Sequence, residues 1–325
     1  MTDWRRLHGE HFRGVRCLVT GGAGFIGSHL VEALVSLGAD VIVLDNLVGG
    51  DRSNIAAFAC QFVQGSILDR LTLDRTMQGC RYVFHLAALG SVPQSIERPL
   101  EYHEVDATGT VLVLEAARHA GVQRVIYSAS SSAYGERPGL PKVETMAPDP
   151  RSPYAAAKLA GEAYLTAYSA SYGLDSVSLR YFNIFGPRQN PNSAYAAVIA
   201  AFAKAILSGQ PPTIFGDGEQ SRDFTFVHNA VHANLLAARK QQPLCGEVLN
   251  VACGQRVTLN QLAPMMCHLL GRDDLRPVYA PERPGDVRHS QADLSRIRQV
   301  LGYEPIVDLH TGLDATLKWY AGVLK

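Results

Sequence analysis

A tyrosine and a lysine stand four residues apart in SPYAAAK, residues 152–158. On a helix, that spacing puts Tyr154 and Lys158 on one face, where a phenol and an ammonium group approach the same point. A nearby cation favours phenolate over phenol, drawing the tyrosine pKa down from its ordinary value of about 10 toward that of a usable base. The plain alternative is that Tyr154 packs and Lys158 is solvated. Upstream, SASSSAYGE supplies hydroxyls at Ser130, Ser131 and Ser132 at the end of a run with strand character. Side chains at the carboxyl end of a parallel strand project into the cleft where ligands bind. A hydroxyl at Ser130 is then placed to share a hydrogen bond with a substrate oxygen and with Tyr154. Taken alone, this stretch also reads as a solvated serine-rich loop.

A second constellation precedes the first. In TGGAGFIG, the glycines Gly21, Gly24 and Gly27 have GxxGxxG spacing around Phe25 and Ile26. Such glycines allow a tight turn, close approach of backbone to a pyrophosphate, and close helix packing. The following helix N-terminus faces the phosphates. Asp45, beside Asn46, ends the next strand 18 residues after Gly27. An acid there binds ribose hydroxyls and disfavours a 2′-phosphate, which argues for NAD over NADP. The alternative for Asp45 is a turn cap. Ser66 and Ile67 follow a third strand, where an adenine would lie. Leu86, Ala87 and Ala88 of HLAA follow a fourth and leave room for a ribose.

These groups need elements to hold them. Short β-branched runs alternate with helical patterns through the first half of the chain: VRCLVT, DVIVLD, RYVFHLAA, RVIYSAS and DSVSLRYFNIFG as strands, SHLVEALVSLG and TGTVLVLEAARHAG as helices. Leu30, Leu34 and Leu37 form one stripe, and Gly38 is a stop signal. In SPYAAAK, Ser152 is an N-cap, Pro153 suits the first helical position, and a long helix runs to about Tyr172. The pattern predicts an α/β fold, a doubly wound parallel (Rossmann) sheet with a smaller α/β C-terminal substrate lobe. The sheet lobe is expected over residues 1–185 with 226–255, and the smaller lobe over 186–225 with 256–325.

Composition excludes other classes. The chain has 325 residues, 47% hydrophobic and 18% charged, with zero formal net charge. That is globular, with no basic footprint for nucleic acid and no electrostatic membrane anchor. The six cysteines form no CxxC pair and have no histidine at zinc-finger spacing, so no metal site is expected. The first residues lack an apolar signal-peptide segment, and no stretch is long enough to span a membrane. A cytoplasmic protein is the default expectation.

The motifs TGGAGFIG, DN (Asp45, Asn46), HLAA, SSSAYGE, SPYAAAK, RYFNIFGPRQ, GDGEQSRDF and RPGDVRHS follow one another in the order of a known family. Over nearly its whole length the sequence resembles the extended short-chain dehydrogenase/reductases, specifically the nucleotide-sugar 4-epimerases. With PGLPKVE, PNSAYAAVI and RHS it most resembles those acting on UDP-N-acetylglucosamine and UDP-N-acetylgalactosamine. The resemblance implies that Tyr154 takes the proton of the sugar 4-hydroxyl, directly or through Ser130. It implies that the C4 hydride passes to NAD and returns to the opposite face of a 4-keto sugar, with Lys158 and Tyr181 among the cofactor contacts. It further implies a UDP anchor: Asn183, Arg222 and Arg283 at the diphosphate, Asp286 at the ribose. Ser91 with Val92, and Ala197 with Val198, match positions near the sugar and uridine. Relatives restricted to non-acetylated sugars carry a bulky tyrosine where this chain has Ser290, so a 2-acetamido group is expected to fit. A homodimer through a four-helix bundle follows by the same analogy. One position departs from the pattern: Asp106, in VDATGT, stands where many relatives have asparagine.

Within the resemblance, the 4,6-dehydratases need an acid pair where this chain has Ser131 and Ser132, and the decarboxylases usually carry a glutamate there. A UDP-hexuronic acid 4-epimerase is the serious alternative, and needs a group for the C6 carboxylate from Arg188, Arg288 or elsewhere. A non-catalytic NAD-sensing scaffold is the alternative of another class. It fits less well because Tyr154 and Lys158 are both present.

Overall fold

Seven short runs line up as one parallel sheet: β1 (Arg16–Thr20), β2 (Asp40–Asp45), β3 (Gln61–Gln64), β4 (Tyr82–His85), β5 (Arg124–Ser130), β6 (Ser176–Tyr181) and β7 (Glu247–Val251). The computed structural model describes residues 2–190, 198–282 and 288–324. The spatial order is β7-β6-β5-β4-β1-β2-β3, with every neighbouring pair parallel. The chain winds one way from β1 and the other way from β4. The switch point between them opens a crevice at the carboxyl ends of the strands.

Helix α1 (Phe25–Ser36) covers one face, with Leu30 and Leu34 fully buried and Gly38 ending it at φ 79°. Helices α2 (Gly109–His119) and α3 (Pro153–Tyr172) cover the other face, burying Leu114 and Leu165 against Leu18, Val125 and Tyr127. Each fully buried leucine contributes about 1.5–3 kcal/mol of apolar transfer. The Ser152 hydroxyl accepts from Ala155 N at 3.1 Å, and Gly173 ends α3 in the left-handed region, so both ends lie where the sequence signals put them. Helix α4 (Val227–Arg239) returns to pack beside α1 and leads into β7. Helices Val198–Leu207, Leu259–Leu269 and Leu309–Val323 form a separate core of Phe202, Ile206, Leu262, Met266, Leu313 and Leu317.

Two elements differ from the sequence reading. The strand expected through DSVSLRYFNIFG stops at Tyr181. Asn183 then takes φ 41°, a left-handed turn that asparagine tolerates better than most residues, and Ile184–Phe185 pairs instead with Thr225–Phe226. The helix expected over TGTVLVLEAARHAG is preceded by a π-helical turn, His103–Thr108. A π-turn inserts a residue without a glycine or proline to announce it.

Helix α3 is held to the sheet by close contact and by charge. A Cβ on Gly161 would collide with the Tyr127 hydroxyl, so glycine sets how near the helix approaches β5. Glu162 accepts two parallel hydrogen bonds from Arg180 of β6, at 2.8 and 2.7 Å, both side chains being 4% exposed. Arg180 Nη1 has no hydrogen-bond acceptor, but the guanidinium lies 4.7 Å from the centre of the Tyr134 ring.

At the other end of the molecule, buried histidines dock the N-terminus. His8 Nε2 is 3.0 Å from His232 Nδ1, Thr2 Oγ1 is 2.7 Å from His228 Nδ1, and His29 Nε2 donates to the Pro187 carbonyl at 3.0 Å. Among the described residues no helix is long and apolar enough to cross a membrane, and no group of three or more histidine, cysteine or acidic residues forms a metal cluster. All six cysteines are free thiols.

Two outcomes are expected. Glu162→Ala leaves the Arg180 charge buried and unpaired and should cost roughly 3–5 kcal/mol in urea unfolding. Burial pushes His8 and His29 down to about 3, and His228 and His232 down to about 4. Native values below the unfolded 6.5 mean that the unfolded chain binds protons the native state refuses. Their contribution to stability is therefore constant above about pH 7.5 and falls as pH drops toward 4, by about 1.4 kcal/mol per group at pH 5.5. Thermal melts across pH 7.5–4.5 measure this slope, and His29→Gln should reduce it.

Candidate active site

The carboxyl edge of the sheet opens into one cleft of about 1270 Å³. That exceeds the 300–1,000 Å³ usual for a single small ligand and suits a dinucleotide together with a second molecule.

One end is the glycine turn. Gly21 has φ 70°, and a Cβ there would collide with the backbone of Leu86 and Ala87. A Cβ on Gly27 would fall inside the Gly21 carbonyl. The turn therefore stays tight while the N-terminus of α1, with Gly24, Phe25, Ile26 and Gly27, opens into the cleft. Asp45 accepts from Ala23 N at 2.9 Å and from Leu47 N at 2.8 Å, so it does brace the turn, and it also lines the cleft. Asn46, Ser66, Ile67, Leu86, Ala87, Ala88 and Tyr181 line the same channel. The Tyr181 hydroxyl is fixed by Ser128 Oγ at 3.1 Å and Asn234 Nδ2 at 2.6 Å. This cradle fits NAD: glycines where a pyrophosphate needs backbone, a helix N-terminus aimed at it, and an acid at the end of β2.

Ser130, Tyr154 and Lys158 all line the cleft, and the Ser130 hydroxyl bonds to the Tyr154 phenol. Ser130 ends β5 and its Oγ accepts from Ser132 Oγ at 2.8 Å and from Ser132 N at 3.2 Å. Tyr154 and Lys158 come from the first two turns of α3. Lys158 is 3% exposed, donates to the Ser128 carbonyl at 3.0 Å and lies 4.8 Å from the centre of the Tyr127 ring. Burial lowers its pKa, against the pull of Asp106 and Glu162. The expected downward shift of Tyr154 is absent. Burial deep in the protein pushes the phenol up to about 12, opposed by a hydrogen bond from Ser130, with Asp106 and Tyr102 raising it further. The Lys158 ammonium is committed to the Ser128 carbonyl and the Tyr127 ring, and burial dominates at Tyr154.

At the other end, Ser131, Ser132, Asn183, Val198, Arg222 and Ser290 line the cleft. The left-handed turn at Asn183 lets its Nδ2 donate to the Asp223 carbonyl at 3.2 Å and to Ser290 Oγ at 3.4 Å. Arg222 donates to the carbonyls of Ser221 and Arg288, at 3.1 and 3.2 Å. Asp223, fully buried, accepts from Cys253 N, Gly254 N and Ala292 N at 3.0–3.1 Å. It thereby ties the loop after β7 to the segment carrying Ser290. Ser91 is not brought to the cleft: its hydroxyl caps the helix Val92–Glu97 by accepting from Gln94 N, and Val92 and Gln94 line the wall instead. Ala197, Arg283 and Asp286 lie outside the described residues.

The sequence reading missed Tyr102, Lys142 and His289 as lining residues. Lys142 sits in the quoted PGLPKVE, but nothing in the spacing shows that it is 5% exposed and held by the Arg137 carbonyl. Burial lowers its pKa, and it has no ion pair among the described residues. The two arginines considered for a carboxylate point elsewhere. Arg188 pairs with Glu32 of α1 at 2.6 Å, and Arg288 with exposed Asp217 at 2.7 Å.

Known proteins share this arrangement. Residues 17–252 match the NAD dependent epimerase/dehydratase family. Over 94% of its length the chain is 39% identical to the UDP-glucose 4-epimerase of Mycolicibacterium smegmatis, covering 98% of that protein. Two solved structures, each 41% identical, superpose over 96% of this chain. One is the UDP-N-acetylglucosamine 4-epimerase of Methanobrevibacter ruminantium in complex with UDP-N-acetylmuramic acid, with a TM-score of 0.91 and 99% of that chain covered. The other is the UDP-glucose 4-epimerase of Thermotoga maritima with UDP-glucose, with a TM-score of 0.90 and 100% covered. With fold, cleft and sequence in agreement, the chain belongs to the NAD dependent epimerase/dehydratase family.

Proposed function

We propose that the protein is a UDP-sugar 4-epimerase that interconverts UDP-N-acetylglucosamine and UDP-N-acetylgalactosamine, and UDP-glucose and UDP-galactose as well. The observation that carries the reaction class is that Ser130, Tyr154 and Lys158 line one cleft large enough for cofactor and substrate. The observation that favours an acetylated sugar is the small Ser290 on the cleft wall, tied to Asn183.

Bound NAD supplies the acceptor for the C4 hydrogen with its electron pair, and later returns it. Tyr154 removes the proton of the sugar 4-hydroxyl at its phenol oxygen, directly or through Ser130, and gives it back after the 4-keto sugar has turned. Lys158 holds the nicotinamide ribose and favours the phenolate. Asn183, Arg222, Arg283 and Asp286 anchor the UDP while the sugar turns. Arginine suits this role because its planar fork matches phosphate oxygens, and the chain has no net charge to attract an anion otherwise. We assign the cofactor to residues 1–185 with 226–255, and the nucleotide sugar to 186–225 with 256–325. Exposed Leu100, on the helical turn Pro99–Tyr102 that packs against α3, and exposed Tyr164 of α3 support pairing with a second copy of the chain, which sedimentation velocity measures.

One observation favours a UDP-hexuronic acid instead: Lys142, a buried cation on the cleft wall without an ion pair among the described residues. The engagement of Arg188 with Glu32 and of Arg288 with Asp217 weighs against it. Incubation with UDP-GlcNAc, UDP-Glc and UDP-GlcA, without added reductant, followed by separation of the C4 epimers, decides between them. Tyr154→Phe should lower kcat at least 10²-fold while KM stays within a few-fold, as removal of a general base does. Ser290→Tyr should abolish turnover of UDP-GlcNAc and spare UDP-Glc. Equal loss on both sugars would refute the reading of Ser290.

A further inference from the structure

Lys142 is a buried ammonium on the cleft wall that the reaction steps just described do not use. Its backbone is gripped on both sides. Lys142 N donates to the Gln291 carbonyl at 2.7 Å, and its own carbonyl accepts from Asp293 N and from Asn250 Nδ2 of β7, each at 2.9 Å. Asn250 Oδ1 in turn accepts from the Tyr134 hydroxyl at 2.7 Å, four residues beyond Ser130. The two acids beside Lys142 are committed to backbone N–H groups: Glu144 accepts from Asn250 N and Asp293 from Ser295 N, each at 2.8 Å. The ammonium itself donates to the Arg137 carbonyl, a neutral partner. An ammonium has three N–H donors, so one carbonyl does not satisfy it.

The segment carrying Ser290 runs beside Lys142 with the alternation of a strand. On one side, Ser221 N donates to the Arg288 carbonyl and Ser290 N to the Ser221 carbonyl, both at 3.0 Å; on the other side, Gln291 and Asp293 meet Lys142. Lys142 pairs with Ala292 as a parallel bridge. Residues paired across strands, and residues two apart along one, share a face. Ser290 and Lys142 therefore project to the same side, and both line the cleft.

We propose that Lys142 is a specificity-determining residue for the sugar: its ammonium donates to the carbonyl oxygen of a 2-acetamido group, in the orientation that places this group against Ser290. The small serine admits the group, and the lysine recognises it. The chemistry matches, because an ammonium only donates and an amide carbonyl only accepts. The Arg137 carbonyl still engages the ammonium when no amide is present, so a plain hexose is disfavoured rather than excluded. The C6 carboxylate of a hexuronic acid is the rival claimant. In a pyranose ring, C2 lies across from C5, which bears C6, so a group beside the C2 substituent is remote from that carboxylate. This inference rests on the 4-epimerase reading above and deepens it.

The test compares NAD-loaded wild type with Lys142→Met and Lys142→Gln on UDP-GlcNAc, UDP-Glc and UDP-GlcA. Both variants remove the ammonium and leave the backbone grip, and Lys142→Gln keeps a donor for the Arg137 carbonyl should Lys142→Met fail to fold. The ratio of kcat/KM for UDP-GlcNAc to that for UDP-Glc should fall about tenfold or more, as loss of a charge-assisted hydrogen bond does. A ratio that stays at the wild-type value overturns the proposal. So does a loss confined to UDP-GlcA, which gives the lysine to the carboxylate instead. Calorimetric affinities for the same three nucleotide sugars should show the same change and need no turnover. If wild type epimerises no UDP-sugar, the function proposed above fails, and calorimetry still decides whether Lys142 reads the amide.

Discussion

The ion pair between Glu162 and Arg180 sits beneath everything else in the cleft. Tyr154, Lys158 and Glu162 follow at four-residue steps and so form one stripe of α3. The first two face the reaction space and the third locks the helix to β6. A helix carrying two reactive groups must neither rotate nor slide, because a displacement of 1 Å is enough to spoil a proton transfer. Apolar packing alone is a poor guard against sliding. A bidentate pair buried on both sides is directional, and Gly161 against Tyr127 adds a steric stop one residue away.

Much of this was legible in the sequence, and what was legible has a common cause. The glycine turn, the ends of α3 and the leucine stripe of α1 are written in local chemistry: which residues allow a left-handed φ, cap a helix or recur at the helical period. Residues such as Asp45, Ser66 and Ala87 could be placed because they fall at strand ends, and a parallel sheet sends strand ends to one edge. What stayed hidden depends on contacts between distant segments. The π-turn has no sequence marker. Ser91 looked like a wall residue and is a helix cap, because a serine before Val-Pro serves its own backbone first. Lys142 is buried by segments about 150 residues further along, notably Gln291 and Ala292, and no local pattern announces that.

The electrostatics of the cluster were the least readable part. Four-residue spacing says that a cation can meet a phenol, but not how much water both lose on the way. Burial raises Tyr154 and lowers Lys158 together, which works against the charged pair that the spacing suggests. The remaining polar partners decide how far each moves: Ser130 of β5 and Asp106 of the π-turn at Tyr154, Asp106 and Glu162 of α3 at Lys158.

Asp223 shows what it means for two chain segments to share a fastener. Burial pushes this carboxyl up to about 6, while three backbone N–H groups from two loops depend on its oxygens. The raised value means that the folded chain holds this group neutral more readily than the unfolded chain does. Between about pH 4 and 6 that preference steadies the junction between the loop after β7 and the segment carrying Ser290. As pH rises through about 6 the carboxyl ionises and this contribution is spent, so the junction beside Ser290 is held most firmly in mildly acidic solution.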